Sequence, residues 1–207
     1  MVPCLESMFN TIAAVLPFQP DEAIDFLDLG GGSVVLSEFI LEQFPNAHTT
    51  VLDSSAEALE NARQANERFG DRFKTLLRDF AREDLPTRYH AVVSCLSLHH
   101  LNNIEVRGLY RSIYSSLHAG GMLIVADHLA APSQLLAERQ RAAWQRDAKM
   151  LGASDEDIAN AESRQKDDNR TLALEHLQWM FNVGFRDVDV FYKNLMFSVH
   201  GGRRPRL

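Results

Sequence analysis

Cysteine is scarce: 207 residues hold two, Cys4 and Cys95. Two scattered thiols exclude a disulfide scaffold and a cysteine-rich zinc site, and they suit a reducing compartment. Cys95 falls in an apolar, strand-like run and reads as a buried side chain. No apolar run approaches the roughly 20 residues needed to cross a bilayer. The opening Met-Val-Pro-Cys-Leu-Glu lacks a basic start followed by an apolar stretch, so no secretory signal is expected and the chain is read as cytoplasmic. Positive charge is also short, with 21 Lys and Arg against 28 Asp and Glu and a net charge of −7. That balance argues against general nucleic-acid or anionic-membrane binding, while a structured RNA held by a local basic patch stays open. No repeat and no second domain are visible, and the length fits one domain, 1–207, with its own core.

What the chain does have is 45% hydrophobic residues arranged in alternating strand and helix patterns. Its centre is the stretch Ile24 to Ser37. Apolar residues lead into Asp28, Gly30-Gly31-Gly32 follow, and a helical pattern opens at once. This reads as strand, glycine-rich turn and helix, a turn that lets backbone approach a nucleotide-like ligand. A first helix is expected over Leu5–Leu16, stopped by Pro17 and Pro20. Further strands are expected at 48–53, 73–78, 90–96 and 122–127, separated by helices. Ser54 with Glu57 and Asn102 with Glu105 read as capping boxes. The strands are apolar at nearly every position, as a parallel sheet covered on both faces requires. The expectation is an α/β fold, an open and mostly parallel sheet with helices on both faces.

After Asp127 the rhythm breaks. Helices are expected over 133–151, from about 154 and over 171–183, with Leu174, Leu177, Trp179 and Met180 as candidate buried positions. The polar run Gln165–Arg170 reads as a solvated loop. Phe185–Tyr192 and Leu195–His200 read as a hairpin turning at Lys193-Asn194. The tail Gly201-Gly202-Arg203-Arg204 reads as flexible and basic. In open α/β sheets ligands bind at the carboxyl ends of the strands. Asp28, Asp53, Asp79 and Asp127 all stand at expected strand ends, and Ser97 to His100 follow the fourth. Asp53 lies where an acid can accept both hydrogen bonds of a ribose diol.

These motifs together resemble the class I S-adenosylmethionine-dependent methyltransferases, small-molecule type, from Ala23 to the C-terminus. Asp28-Leu29-Gly30-Gly31-Gly32-Ser33 is similar to the first motif, Asp53 to the ribose acid, and Arg78-Asp79-Phe80 to the adenine loop. Leu98-His99-His100-Leu101 resembles the motif after strand four, and Leu117 to Leu123 the turn into strand five. The resemblance implies seven strands with the last antiparallel. It implies S-adenosylmethionine as cofactor, S-adenosylhomocysteine as product, and cofactor contacts at Asp28, Gly30, Gly31, Gly32, Asp53, Ser54, Asp79, Phe80 and Ser97. No metal is expected. The acceptor is expected to be a small molecule, covered by a helical insertion over 130–184; a homodimer is left open.

Two departures stand out. Val34 occupies a place where the family often has glycine, and is expected either to crowd the methionine end of the cofactor or to pack the helix on the sheet. Many members also carry an N-terminal lid segment where this sequence starts almost at the first helix, so the lid is read as either absent or cut away. Two further readings compete. A nicotinamide-dependent oxidoreductase would need glycine at Val35 and has no use for a reversed hairpin. A non-catalytic regulator or scaffold on the same fold is the other. If the reaction needs a base, His99, His100 and His128 are the candidates near the crevice. The expected arrangement puts His100 in the active site and His99 pointing away or packed at its rim.

Overall fold

The computed structural model describes residues 2–31 and 35–206, with Asp167 as backbone only. Gly32, expected to touch the cofactor, and Val34, the departure from glycine, lie outside the described residues. In chain order the elements are α1 Leu5–Val15, β1 Asp25–Leu29, α2 Val35–Gln43, β2 His48–Asp53, α3 Ala56–Ala65 and β3 Phe73–Leu77. Then come β4 Tyr89–Cys95, α4 Asn103–Ser116, β5 Leu117–His128, α5 Gln134–Met150, α6 Asp155–Arg164, α7 Ala173–Val183, β6 Arg186–Asn194 and β7 Phe197–Arg203.

One seven-stranded sheet runs in the order β3-β2-β1-β4-β5-β7-β6. The first five strands pair in parallel, and β7 is antiparallel to both β5 and β6. Alternate residues of the central strands feed two cores. Phe26, Val93 and Ile124 pack with α1, α2, α3, α5 and α6. Leu27, Val92 and Leu123 pack with α4 and α7. Both faces are therefore covered, which is why these strands lack the polar alternation of a half-exposed sheet.

Local signals placed most boundaries. Asn102 and Glu105 form the expected capping box of α4, and Ser154 with Asp157 that of α6. Gly184 closes α7 at φ +118°. At α3 the cap is Ser55 rather than Ser54: Asp53 Oδ1 accepts the Ser55 N–H at 2.9 Å, and Ser55 Oγ accepts that of Ala58 at 3.1 Å. The strand-end acid thus holds Ser54 in the turn, one residue before the helix. On α7 the inward residues are His176 and Met180, while Leu174 is exposed.

The C-terminus departs most from expectation. The hairpin turns at Leu195 and Met196, not at 193-194, with Leu195 in the left-handed region at φ +52°. Gly201 and Gly202 are no flexible tail but buried residues of β7, opposite Ile124 and Leu123. A Cβ on Gly201 would overlap the Leu123 carbonyl. Glycine is what lets β7 press against β5. The strand exit is then pinned by Arg204, whose N–H donates to Gly121 O at 2.8 Å and whose guanidinium donates to the carbonyls of Tyr114 and Leu117.

Two stability predictions follow from this packing. Gly201→Ala should cost about 2–3 kcal/mol by overpacking, read as a lower midpoint in chemical denaturation. Behind β5, Tyr110 Oη and His176 Nδ1 lie 2.6 Å apart, and His200 Nδ1 lies 3.0 Å from Ser198 Oγ. Burial pushes His176 down to about 4 and His200 to about 3. Both rings are neutral in the fold, and the unfolded chain takes up their protons first. Their contribution is complete above the unfolded histidine value near 6.5 and falls away as pH drops toward 3 or 4, by up to about 1.4 kcal/mol per pH unit for each ring. Unfolding midpoints measured from pH 7 to pH 5 should fall, and His200→Gln should flatten that slope.

Candidate active site

The carboxyl ends of β3, β2, β1 and β4 form one row. Gly30, just past β1, has φ +70°; its N–H donates to Leu52 O at 2.8 Å, and its carbonyl accepts from Ser97 Oγ at 3.1 Å. A Cβ on Gly30 would collide with Ser97 and stand 3.6 Å from the Phe80 ring. The structure therefore brings Gly30, Phe80 and Ser97 together. Asp53 ends β2 beside them, and its carbonyl accepts the Arg78 N–H at 3.0 Å, which ties β3's exit loop to β2. In that loop Asp79 Oδ1 accepts the Ala81 N–H at 3.0 Å, leaving Phe80 half-buried between the acid and the glycine turn. Ser54 sits exposed in the turn after Asp53.

Asp28 lies beneath the turn rather than in the crevice. It is 1% exposed, and Oδ2 accepts from Ser37 Oγ of α2 at 2.6 Å. Burial raises its carboxyl to about 6, against the Ser37 hydrogen bond. A Cβ on Gly31 would stand 2.7 Å from that carboxyl. Asp28 and Gly31 thus lock the turn onto the helix, and the close fit explains why position 31 needs glycine.

A second group of polar side chains gathers at the ends of β4 and β5. After β4 the chain makes a short 3-10 turn, Leu98–His100, before α4. Asp127, near the end of β5, is 3% exposed and accepts three N–H groups: His99 Nδ1 at 2.5 Å, the His99 backbone at 3.1 Å and the His128 backbone at 2.7 Å. The His128 ring stacks on His99 with centroids 5.1 Å apart and a 21° tilt. Burial by itself would lower the His99 pKa, but the hydrogen bond and charge of Asp127, with Asp168, outweigh it and leave the value raised. Asp127 is correspondingly lowered: its burial is outweighed by the same pair and by the His128 N–H. Burial dominates at His128, whose value drops to about 4.

The two adjacent histidines have exchanged the places expected of them. His99 is the buried one, while the His100 side chain is 65% exposed. The reason is local: only one residue of a tight turn can turn both its backbone N–H and its ring to the same carboxylate, and the next is carried about a third of a turn away. The stretch 165–170 is no solvated loop. A second 3-10 turn, Gln165–Asp167, delivers Asp168 onto the histidines. The Asp168 side chain is 3% exposed; its oxygens lie 3.8 Å from His99 Nε2, 3.6 Å from His128 Nδ1 and 4.0 Å from His100 Nδ1. Asn169 fastens the segment by donating to the carbonyls of His99 and Leu101, each at 2.7 Å. Arg170 reaches Asp168 Oδ2 at 3.3 Å. Sequence reading missed this trio because a polar run without periodicity looks solvated. A cavity of about 220 Å³, lined among others by Leu96, His99, His100, His128, Arg164 and Asp168, opens on the cluster.

Comparison with known proteins agrees with this architecture. A family profile described as a methyltransferase domain matches residues 27–123. A malonyl-[acyl-carrier protein] O-methyltransferase of Acetivibrio thermocellus is 26% identical over 118 residues, 57% of this chain and 40% of that protein. Its counterpart from Neorickettsia risticii is 35% identical over 77 residues, 37% of this chain and 29% of that protein. The chain thus spans less than half the length of these curated relatives. Among solved structures, apo SibL, a methyltransferase dependent on S-adenosylmethionine, superposes with a TM-score of 0.68 at 20% identity, over 97% of this chain and 56% of that one. Human N-acetylserotonin methyltransferase in complex with SAM gives 0.66 at 18% identity, over 95% and 51%. The structural likeness speaks for the fold. A methyltransferase-domain profile thus matches the chain from β1 into β5, on a sheet whose seventh strand is reversed, and the fold is that of S-adenosylmethionine-dependent methyltransferases of known structure.

Proposed function

We propose that the chain binds S-adenosylmethionine along the row of strand ends and methylates a hydroxyl-bearing small molecule held against His99. The observation that carries this reading is the buried His99–Asp127 pair, set one short turn after Ser97, which itself closes on the glycine turn. The crevice fits the cofactor's nucleoside. Gly30 lets Ser97 close onto the turn, Asp53 ends the neighbouring strand where a ribose diol would lie in this reading, and Phe80 stands beside the turn to flank the base.

The cofactor supplies an already activated methyl group. What remains for the protein is to align the acceptor, exclude water and take a proton where the nucleophile carries one. His99 is oriented to receive that proton, because Asp127 holds its Nδ1–H and leaves Nε2 as the accepting atom. Asp127 also stabilises the charged ring once the proton has arrived. A carboxylate acceptor would need no such base, so the pair favours a hydroxyl over the acid that the malonyl relatives' names imply. The helical region 130–184 covers the acceptor side, with Asp168 and Arg164 at the cavity wall.

Calorimetry with S-adenosylhomocysteine should show saturable binding, and Asp53→Ala should weaken it by about 1–3 kcal/mol. Binding of NADH without S-adenosylhomocysteine would overturn the reading. In a methyl-transfer assay on a panel of hydroxyl- and carboxyl-bearing acceptors, run with a chelator present, His99→Asn should lower kcat by about 10²- to 10⁴-fold and leave S-adenosylhomocysteine affinity intact. Turnover should rise with pH as the ring loses its proton, with a midpoint above an ordinary imidazole because Asp127 holds the charged form. Asp127→Asn should move that midpoint down. Preference for carboxyl acceptors with His99 dispensable would refute the hydroxyl assignment.

A further inference from the structure

The histidine cluster poses a question that proton transfer alone leaves open. Three imidazole nitrogens face one carboxylate. His99 Nε2 and His100 Nδ1 point at Asp168 Oδ1, at 3.8 and 4.0 Å, and His128 Nδ1 points at Oδ2 at 3.6 Å. None of these spacings is a hydrogen bond. His128 is 7% exposed, and its Nδ1 is buried with no hydrogen-bond partner among the described residues. With Nδ1–H of His99 committed to Asp127, Nε2 presents a lone pair to an acid. Two electron-rich groups in that relation are stabilised by a positive species between them, a proton or a metal ion.

We propose that His99 Nε2, His100 Nδ1 and Asp168 Oδ1 form a site for a divalent transition-metal ion of the zinc class, with His128 Nδ1 within reach as a fourth ligand. The three ligand atoms all lie within 4.8 Å of one another. Tetrahedral zinc with bonds near 2.0–2.1 Å sets its ligand atoms about 3.3 Å apart, so closure needs side-chain movement of well under an ångström for the contacts to Asp168. Two histidines and one carboxylate with a position to spare is the donor set of an open zinc site. The Asp127–His99 bond supplies the outer carboxylate that commonly fixes the tautomer of a metal-binding histidine. Arg170 touches Asp168 Oδ2, not Oδ1, so the cation and the ion do not claim one oxygen. Asn169, bonded to the His99 carbonyl, keeps the acid in place whether or not an ion is bound.

Metal at Nε2 displaces the proton there, or forestalls one. The metal-bound and base forms of His99 therefore exclude each other, which gives the site a means of silencing the enzyme. The binding claim itself does not depend on the methyltransferase reaction. The chelator-treated full chain is titrated with Zn2+ by calorimetry in two buffers of different ionisation enthalpy, and with Co2+ by visible absorption, without cofactor or acceptor. One equivalent bound, with proton release and the intense bands of four-coordinate Co2+, is the expected result. His100→Ala and Asp168→Asn should each weaken binding more than tenfold. His100 is exposed, so its variant folds even if Asp168→Asn does not. Absence of saturable binding, or equal affinity in the parent and His100→Ala, would overturn the proposal.

Discussion

Asp127 is the constraint on which the working end of the molecule depends. A carboxylate this deeply buried costs several kcal/mol to desolvate and persists only when its lone pairs are filled. Here three N–H groups fill them, two from His99 and one from the backbone of His128. Those bonds fix the turn after β4 to the end of β5, and they choose which residue of that turn faces inward. Removing the acid would leave His99 without orientation and the turn without its anchor. The stability of the site and its chemistry thus share one group.

Asp127 is held in turn by the sheet. It pairs with Ser198 of β7, the reversed strand wedged between β5 and β6. The glycines at 201 and 202 allow that wedge to seat closely, and Arg204 locks its exit against β5 and α4. Phe197 of β7 meets the His128 ring edge-on, with centroids 4.7 Å apart. The C-terminal hairpin is therefore part of the site's wall, and its order accounts for the failure of glycine content alone to indicate a loose tail.

What the sequence made legible were features whose causes are local. The Gly30 turn, the aspartates at strand ends, the caps at Asn102 and Ser154 and the sheet's apolar strands all depend on near neighbours, and these were placed well. What it hid were features decided at a distance. Whether His99 or His100 turns inward is a matter of one residue's phase, settled by a carboxylate 28 positions away. Asp168 is polar, sits in a polar run and is buried only because Asn169 ties that run to the turn carrying the histidines. Asp28 looked like a ligand contact because it adjoins the glycines, yet strand alternation sends it under the turn to Ser37. Ser54 lost the cap to Ser55, whose N–H donates to the very acid expected to face the ribose.

The row of strand ends and the histidine cluster are connected by very little chain. Ser97 Oγ bonds the carbonyls of Gly30 and Cys95, at 3.1 Å each, and His99 follows two residues later in the same turn. Any shift of the glycine turn is passed through a hydrogen bond and two peptide units to the His99 ring. A longer or looser connection would let the strand-end row and the histidine cluster drift relative to each other. Ser97 accordingly acts on geometry rather than on chemistry, and the collision it would make with any side chain at position 30 shows how closely that geometry is set.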